Sequence, residues 1–468
     1  MKEKTYVDDI DRSVYDIKDK ENDAYKVKAG LTPEIVEKIS KEKNDPAWMQ
    51  QFRLQSLQIY NSLQVPNWGP DIEDLDMDNI VTYVRPKSKM SAKWSEVPKD
   101  IKDTFERLGI PQAEQKSLAG VGAQYDSELV YHNVRAEVAA QGVVYTDLES
   151  AMHGEYAEMI RTHFMHLVKP QEHKFAALHG AVWSGGSFVY VPKGVSVTIP
   201  LQSYFRLNAP GAGQFEHTLI IVDEGASVDY VEGCTAPNYS SDSLHAAVVE
   251  VNVARDAYCR YTTIQNWSDN VYSLETKRAA AMDHATMEWV DGNLGSKVTM
   301  KYPSVYLDGE GAKGTMLSIA VASNGIHQDS GARMIHNAKN TSSSIVSKSI
   351  ARTGGSTDYR GTVRFTKNAE GSKAHVECDT IIMDDQSKSD TIPYNEINCS
   401  NVAMEHEAKV SKISEEQLYY LMSRGISEEK ATEMIIMGFV EPFTKQLPME
   451  YAVELNRLIS FEMEGSIG

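Results

Sequence analysis

The stretches VPKGVSVTI (191–199), VDEGASVDY (222–230) and VARDAYCRY (253–261) begin 31 residues apart, and then 31 again. Each opens on an apolar residue, carries a small or turn-forming residue at its fourth position, and then places apolar side chains at alternate positions. Alternation marks a strand, because successive side chains point to opposite faces. Looser copies follow at AMDHATMEW (281–289), LDGEGAKGTM (307–316), IHNAKNTSSSI (335–345) and FTKNAEGSKAHV (365–376), at intervals of 28, 26, 28 and 30. A unit of this length built from short strands cannot bury its own apolar face, whereas stacked copies can. The pattern predicts a mainly β chain centred on a right-handed parallel β-helix. An antiparallel sandwich also spaces short strands regularly, but seven recurrences of one pattern favour the solenoid.

The flanks have a different period. Residues 32–63 and 98–118 read as helical: TPEIVEKISKEK follows a Thr cap, and DPAWMQQFRLQSLQIYNSL carries apolar residues at helical spacing. Beyond residue 411, Ser414 with Gln417 forms a capping-box pattern, Gly425 stops that helix and Ser427 caps the next. A last helix is expected through MEYAVELNRLISFEME. The expected organisation is a mainly helical domain over 1–135, the β-helix over 136–404 and a helical domain over 405–468.

A chain of 468 residues exceeds what one hydrophobic core usually serves. Sixty-six acids against 47 bases leave a net charge of −19, which argues against binding to a phosphate backbone. No run of 18 apolar residues occurs, so no membrane-spanning helix is expected, and the charged N-terminal stretch lacks the apolar core of a signal peptide. Cysteines at 234, 259, 378 and 399 are too sparse for a disulfide framework and fit a reducing cytoplasm. No P-loop and no G-x-S-x-G elbow is present, and AGVGAQ (119–124) has only part of a dinucleotide-loop pattern. His163, His166, His173 and His179 lack a ligand spacing and read as structural.

Extending the 31-residue register places Ser203, Cys234 and Gln265 on successive coils. Cys234 shares parity with Val228 and Tyr230, so it points inward, together with Glu232 in its own coil and Gln265 and Trp267 in the next. Inward polar residues cost energy unless they are paired or line a wet passage, so this stretch of lumen is a candidate site. Cys259 takes the slot of Val197 and Val228 and reads as a small buried hydrophobe. Cys378 shares parity with Ala374 and Val376 at the end of the last clear coil, shortly before AMEHEA (403–408). Carboxylate, imidazole and thiolate all bind iron or zinc. The ordinary alternative for Glu405, His406 and Glu407 is an exposed charged turn. In a strand the two glutamates share one face and His406 takes the other, so all three meet one ion only if the backbone turns.

SFVYVPKGV (187–195), YFRLNAP (204–210), VEGCTAP (231–237), LHAAVVEV (244–251), TIQNW (263–267), KYPSVYL (301–307), MIHNAKNT (334–341) and AMEHEA resemble blocks of the SufB/SufD family of the SUF iron–sulfur cluster assembly system. The resemblance runs from about residue 45 to the C-terminus and is to the SufB side of the family. It implies a scaffold subunit rather than an enzyme, handling a nascent iron–sulfur cluster. It also implies C-terminal helices that dock a SufC ATPase and a β-helix that pairs with the paralogue SufD, in a complex of one SufB, one SufD and two SufC. By the same resemblance Cys378 is the cluster-assembly cysteine, with Glu407, Glu405 and His406 beside it and Cys378 and Glu407 as metal ligands. Cys234 receives sulfane sulfur from a cysteine desulfurase or its carrier, and Arg206, Asn208, Gln265, Trp267 and Lys277 line the route between the two cysteines. Having both Cys234 and Cys378 separates the chain from SufD-like members. The competing expectation is a cofactor-free, SufD-like interaction subunit. Cys399 is assigned no role.

Overall fold

A computed structural model describes residues 16–19, 23–88, 90–107, 118–447, 452 and 455–460. Eight parallel strands stack into one wall of a solenoid: Ser196–Arg206 (β1), Ser227–Thr235 (β2), Tyr258–Asn266 (β3), Thr286–Leu294 (β4), Lys313–Ala322 (β5), Ser342–Ala351 (β6), Lys373–Ile382 (β7) and Ala403–Lys412 (β8). One register connects Ser196, Ser227, Tyr258, Thr286, Lys313, Ser342, Lys373 and Ala403. A second wall repeats the arrangement through His217–Val222, Val248–Val253, Thr276–Ala281, Ser304–Leu307, His327–His336, Ser356–Phe365 and Lys388–Ile397. The right-handed parallel β-helix expected from the repeats is the observed fold.

The repeat survives because the chain must turn at each corner. Gly194, Gly225, Asp256 and His284, the fourth residues of successive copies, have φ of +72°, +66°, +56° and +56°. Glycine adopts this left-handed conformation freely, while Asp and His accept a cost of about 1–2 kcal/mol there. Inside, Tyr230, Tyr261, Trp289, Met316, Ile345 and Val376 occupy one register position and are buried. The Tyr230 and Tyr261 rings lie 4.9 Å apart and Tyr261 and Trp289 5.3 Å apart, centroid to centroid.

One register expectation fails. Cys234 pairs with Gln265, but on its other side it faces Phe205, and Ser203 faces Glu232 instead. Between Val228 and Tyr230 the pairing jumps from Val197 to Leu201, so β1 carries two extra residues around Pro200. Proline has no amide hydrogen to give the ladder and is tolerated where a strand bulges. Because two residues are inserted, every inward side chain of β1 keeps its face.

The elements are distributed differently from the expected ranges in three places. The region expected to be mainly helical contains the hairpin Gly120–Tyr125 and Glu128–Val134, whose first strand extends the β1 wall. Gly120 and Gly122, which resembled part of a nucleotide loop, sit against Tyr145: a Cβ would lie 3.0 Å from its ring and 2.7 Å from its hydroxyl. The region 136–182, assigned to the β-helix, instead contributes four short helices, ending with Lys174–Val182, and the regular solenoid starts at Ser187. Finally, β8 runs to Lys412, so the boundary expected at 404/405 lies inside a strand and the helices begin at Glu415.

The helices Pro33–Glu42 and Ala47–Ser62 form as expected, the first capped by the Thr32 side chain. The expected helix over 98–118 is seen as Lys99–Arg107, and 108–117 lie outside the described residues. Ser414 and Ser427 accept from the amides of Gln417 and Lys430, and Gly425 ends the first C-terminal helix at φ +84°. Helix Glu428–Thr444 lays Ile436, Val440 and Phe443 on the outer face of the wall, over Ile264, Val290, Ile319 and Ile350. Of the expected last helix, 455–460 are described and helical. No helix among the described residues is long and apolar enough to cross a membrane.

The aromatic column sets the stability of the central coils. Trp289→Ala should cost about 3–5 kcal/mol by removing a fully buried ring and leaving a cavity. Urea unfolding followed by circular dichroism checks this.

Candidate functional site

Every second residue of the wall points into the solenoid, and next to the aromatic column runs a polar one. Register pairing connects Glu232, Thr263, Asp291, Ser318, Ser347 and Cys378 in sequence across β2 to β7, and all six are buried. Ser318 Oγ donates to Ser347 Oγ at 3.0 Å. Five strand spacings of about 4.8 Å put the two ends about 24 Å apart. One position further along the strands, Cys234 pairs with Gln265, and Gln265 with Asn293, whose side-chain amide atoms are buried without a hydrogen-bond partner.

At the start of this file the opposite wall contributes charge. Lys277 Nζ lies 3.4 Å from Glu275 and 3.2 Å from Asp291, and Lys301 Nζ lies 3.5 Å and 3.6 Å from the same two carboxylates. All four side chains have zero exposure. Lys277 also donates to Thr263 and sits 4.9 Å above the Tyr261 ring. Gln265 Nε2 donates to Glu275 at 2.9 Å. Burial disfavours the Glu275 carboxylate, yet Lys277, Lys301 and His245 outweigh it and hold its pKa down at about 2. Burial likewise opposes the Lys277 ammonium, but Asp291 and Glu275 raise its pKa above the ordinary value.

Cys234 donates its thiol hydrogen to Glu232 Oε1 at 3.6 Å. Burial and then the Glu232 charge push the thiol well above its ordinary pKa, so it rests protonated. Burial, reinforced by Glu275, lifts Glu232 to about 7. Tyr261 donates its hydroxyl hydrogen to the other Glu232 oxygen. Trp267 packs on the His245 ring at 4.7 Å, and His245 Nε2 lies 2.6 Å from Glu216. Cys234, Gln265, Trp267 and Lys277 therefore share one polar lumen, as expected.

Arg206 and Asn208 do not join it. Arg206 pairs in register with Thr235, one residue beyond Cys234 and on the other side of the wall. Its Nη1 donates to Thr235 Oγ1 at 3.1 Å and its Nη2 to the Ile17 carbonyl at 2.7 Å, while Asn208 Oδ1 accepts from the Asp19 amide at 3.3 Å. The segment 16–19 covers both side chains, and Asp19 also accepts from Thr104 and Tyr125.

At the far end the strand stays straight through AMEHEA. Glu405 and Glu407 pair with His375 and Glu377 on the outer face, and Glu405 lies 3.3 Å from His375 Nδ1. Cys378 pairs with Ala408 and Val376 with His406, so the thiol and the imidazole face inward, diagonal to one another. Burial pushes the Cys378 thiol up to about 12, and burial lowers His406. Cys378 and Glu407 are therefore on opposite faces of β7 and β8. No three His, Cys, Asp or Glu side chains among the described residues converge closely enough to hold a metal ion.

Several residues of this arrangement were missed in the sequence. Asp291, Ser318 and Ser347 follow from Thr263 by steps of 28, 27 and 29, the loosened repeat interval, so extending the ladder past Gln265 would have found them. Lys301, Glu275 and Glu216 lie at corners of the other wall, where the period carries no signal. Of the four histidines at 163–179, His179 is buried and hydrogen-bonded to the Ala246 carbonyl and to His217.

The N-terminal part matches the model of the SufBD protein N-terminal region over residues 36–203. The remainder matches the SUF system FeS cluster assembly SufBD core domain over 205–439. The chain belongs to the SufBD family. It is 61% identical over 460 residues to the iron–sulfur cluster assembly protein SufB of Bacillus subtilis, covering 98% of this chain and 99% of that protein. SufBD family proteins of Staphylococcus epidermidis and Staphylococcus aureus are 59% and 58% identical over the same shares of the two chains.

Two outcomes are expected of the lumen. Lys301→Met leaves Glu275 and Asp291 with one ammonium between them and should destabilise the chain by about 3–5 kcal/mol in urea unfolding. Glu232 has a pKa raised by folding, so it favours the folded state below the ordinary carboxylate pKa, and that contribution disappears as pH rises to about 7. Glu232→Gln should therefore flatten the fall in unfolding free energy between pH 4.5 and 7, measured by denaturant titration at each pH.

Proposed function

We propose that the chain is a scaffold on which iron–sulfur clusters are built, with sulfur entering at Cys234 and the cluster forming at Cys378. The observation that supports this best is the buried polar file from Glu232 to Cys378, which has a thiol at either end. A sulfane sulfur arriving as a donor persulfide is attacked by Cys234: a new S–S bond forms, the donor's S–S bond breaks, and the Cys234 proton leaves through Glu232 to the departing thiolate. Between the two cysteines the file offers hydroxyls and a carboxylate but no sulfur, so a relay of thiol exchanges is not available. Two electrons and two protons from an external thiol or redox donor convert the Cys234 persulfide to the free thiol and hydrogen sulfide. Lys301 Nζ, buried without a hydrogen bond, can donate to the sulfide at the start of the file, and the serines of β5 and β6 can hydrogen-bond to it along the way.

Iron and sulfide are the substrates at the far end. Cys378 and His406 on the inside and Glu405 and Glu407 on the outside provide donors suited to iron, split by the plane of β8. Mixed thiolate, imidazole and carboxylate donors hold a cluster less firmly than four thiolates, which suits a scaffold that must release it. Among the described residues neither β8 nor the strand Lys388–Ile397 has a strand paired on its outer side, and Ile392, Tyr394, Ile397 and Val410 are exposed on them. A second β-helix subunit of the SufD kind pairs at this edge and completes the ligand set. Tyr419, Tyr420, Met422 and Met434 are exposed on the two C-terminal helices, beside a cavity of about 680 Å³. They form the docking face for a SufC-type ATPase, whose closure would move helices packed directly on the wall.

Iron and acid-labile sulfide are measured per complex, after anaerobic purification with the ATPase and the paralogue. Cys378→Ser should lose both; equal content in mutant and wild type would overturn the assignment, and a colourless wild-type complex would favour the cofactor-free interaction subunit. Ser347→Leu should separate the two ends: Cys234 still acquires persulfide, detected by mass spectrometry, while acid-labile sulfide falls at least tenfold.

A further inference from the structure

A cavity of about 190 Å³ opens on the side of the solenoid, between the loop carrying Trp68 and the corners of the second wall. Arg278 and Arg333 line it together, with Glu172, Trp68 and Tyr302, and Glu275 also lies in its lining. The charges do not balance. Arg278 is buried and ion-paired with Glu172 at 3.0 Å, and its Nε makes no hydrogen bond. Arg333 makes no ion pair and no side-chain hydrogen bond among the described residues. Glu275 is held by Lys277 and Lys301 and offers Arg333 nothing. His173, also in the lining, stays neutral because burial and the two arginines lower its pKa to about 4. Asp329 nearby is taken by Arg360, which stacks on Trp68 at 5.4 Å. Two guanidiniums next to each other with one carboxylate to share is a costly arrangement in a half-buried recess. It is tolerated where a ligand brings the second negative charge, and a planar guanidinium pairs with carboxylate or phosphate through two parallel hydrogen bonds.

We propose that this recess binds a small oxyanion, a carboxylate or phosphate group on a compact body, seated on Arg333 and Arg278 with the body against Trp68 and Tyr302. The volume suits a molecule of a few heavy atoms, not a nucleotide. Its position gives the site meaning. Glu275 connects the recess to the lumen, since the same carboxylate accepts from Gln265, the register partner of Cys234. A ligand here sits on the outer side of Glu275, which with Gln265 separates it from the Cys234 thiol. Binding at this recess does not depend on the proposed route of sulfur, although its consequence for Cys234 does.

Calorimetric titration of the full chain with inorganic phosphate, and separately with citrate, tests the site without iron, sulfide or a partner subunit. Saturable binding of one anion per chain is expected, the tighter of the two identifying the head group. Arg333→Gln should weaken it at least tenfold with the melting temperature unchanged, and Arg333→Lys should restore part of the loss. Absence of saturable binding for both anions, or Arg333→Gln binding as tightly as wild type, overturns the proposal. If Arg333→Gln does not fold, Trp68→Ala decides, since that residue is 45% exposed and its loss leaves the core intact: weakened binding supports the site, and unchanged binding overturns it.

Discussion

Two lysines and two carboxylates, Lys277, Glu275, Lys301 and Asp291, close an alternating ring of charge in the middle of the solenoid with no exposed atoms. Removing one ion from water costs several kcal/mol even after relaxation, and mutual attraction recovers this only when every charge has partners on both sides. In this ring each charge does. A set of well-packed apolar residues would hold the two walls together at least as well, so the ring is not explained by stability. Its effect is to keep one stretch of the lumen polar beside a thiol, where an oily filling would exclude any charged or hydrogen-bonding group. Tyr261 and Trp289 lie under the Lys277 ammonium at 4.9 and 5.9 Å, so the same lysine joins the polar stretch to the aromatic core.

The ring acts on Cys234 through Glu232. Desolvation alone would leave both groups neutral. Burial and Glu275 raise Glu232 to about 7 against the pull of Lys277, and burial with Glu232, Glu216 and Glu275 raises the thiol well above its ordinary value despite the same lysine, so near neutral pH Glu232 stands close to its own midpoint while the thiol keeps its proton. A thiol that rests protonated is poorly nucleophilic and resists adventitious oxidation. It becomes reactive only when a base within reach removes the proton, and the Glu232 carboxylate, which accepts the thiol hydrogen at 3.6 Å on the same face of the same strand, is placed to do so under the proposed function. Cys378 at the opposite end is protonated for the simpler reason of burial. Both ends of the file therefore begin in the inert form.

How much of this is legible in the sequence depends on which wall a residue belongs to. The β1–β8 wall keeps one strand per coil, so the 31-residue interval predicted that Cys234 meets Gln265 and that Cys259 follows Val197 and Val228, all of which the register pairing contains. The same arithmetic misplaced Ser203, because two residues inserted at Pro200 leave the period of the sequence and the face of the side chains untouched while changing the partner. The second wall breaks into short strands around corners, and there Lys301 and Glu275 had no periodic signal. Arg206 and Asn208 lie one coil before Cys234, on and just past the neighbouring strand, yet fall on the far side of the wall under residues 16–19. Alternation from the inward-facing Ser203 already puts Arg206 on the outer face of its strand.

The open end poses the sharper problem. A strand places neighbouring side chains on opposite faces, so β8 cannot aim both Glu407 and the inward-facing His406 at one ion, and the straight pairing with β7 keeps Cys378 with His406. A site using donors from both faces must form around the edge of the strand, where the outer hydrogen-bonding groups of β8 are unpaired. Such an edge normally invites another strand. Under the proposed function, a partner pairing there would close the solenoid and bring its own side chains level with both faces, and its departure would remove the ligands that this chain does not supply. Incomplete coordination within one chain is therefore compatible with a scaffold: assembly and release become two positions of a subunit interface, and neither requires the β-helix itself to change shape.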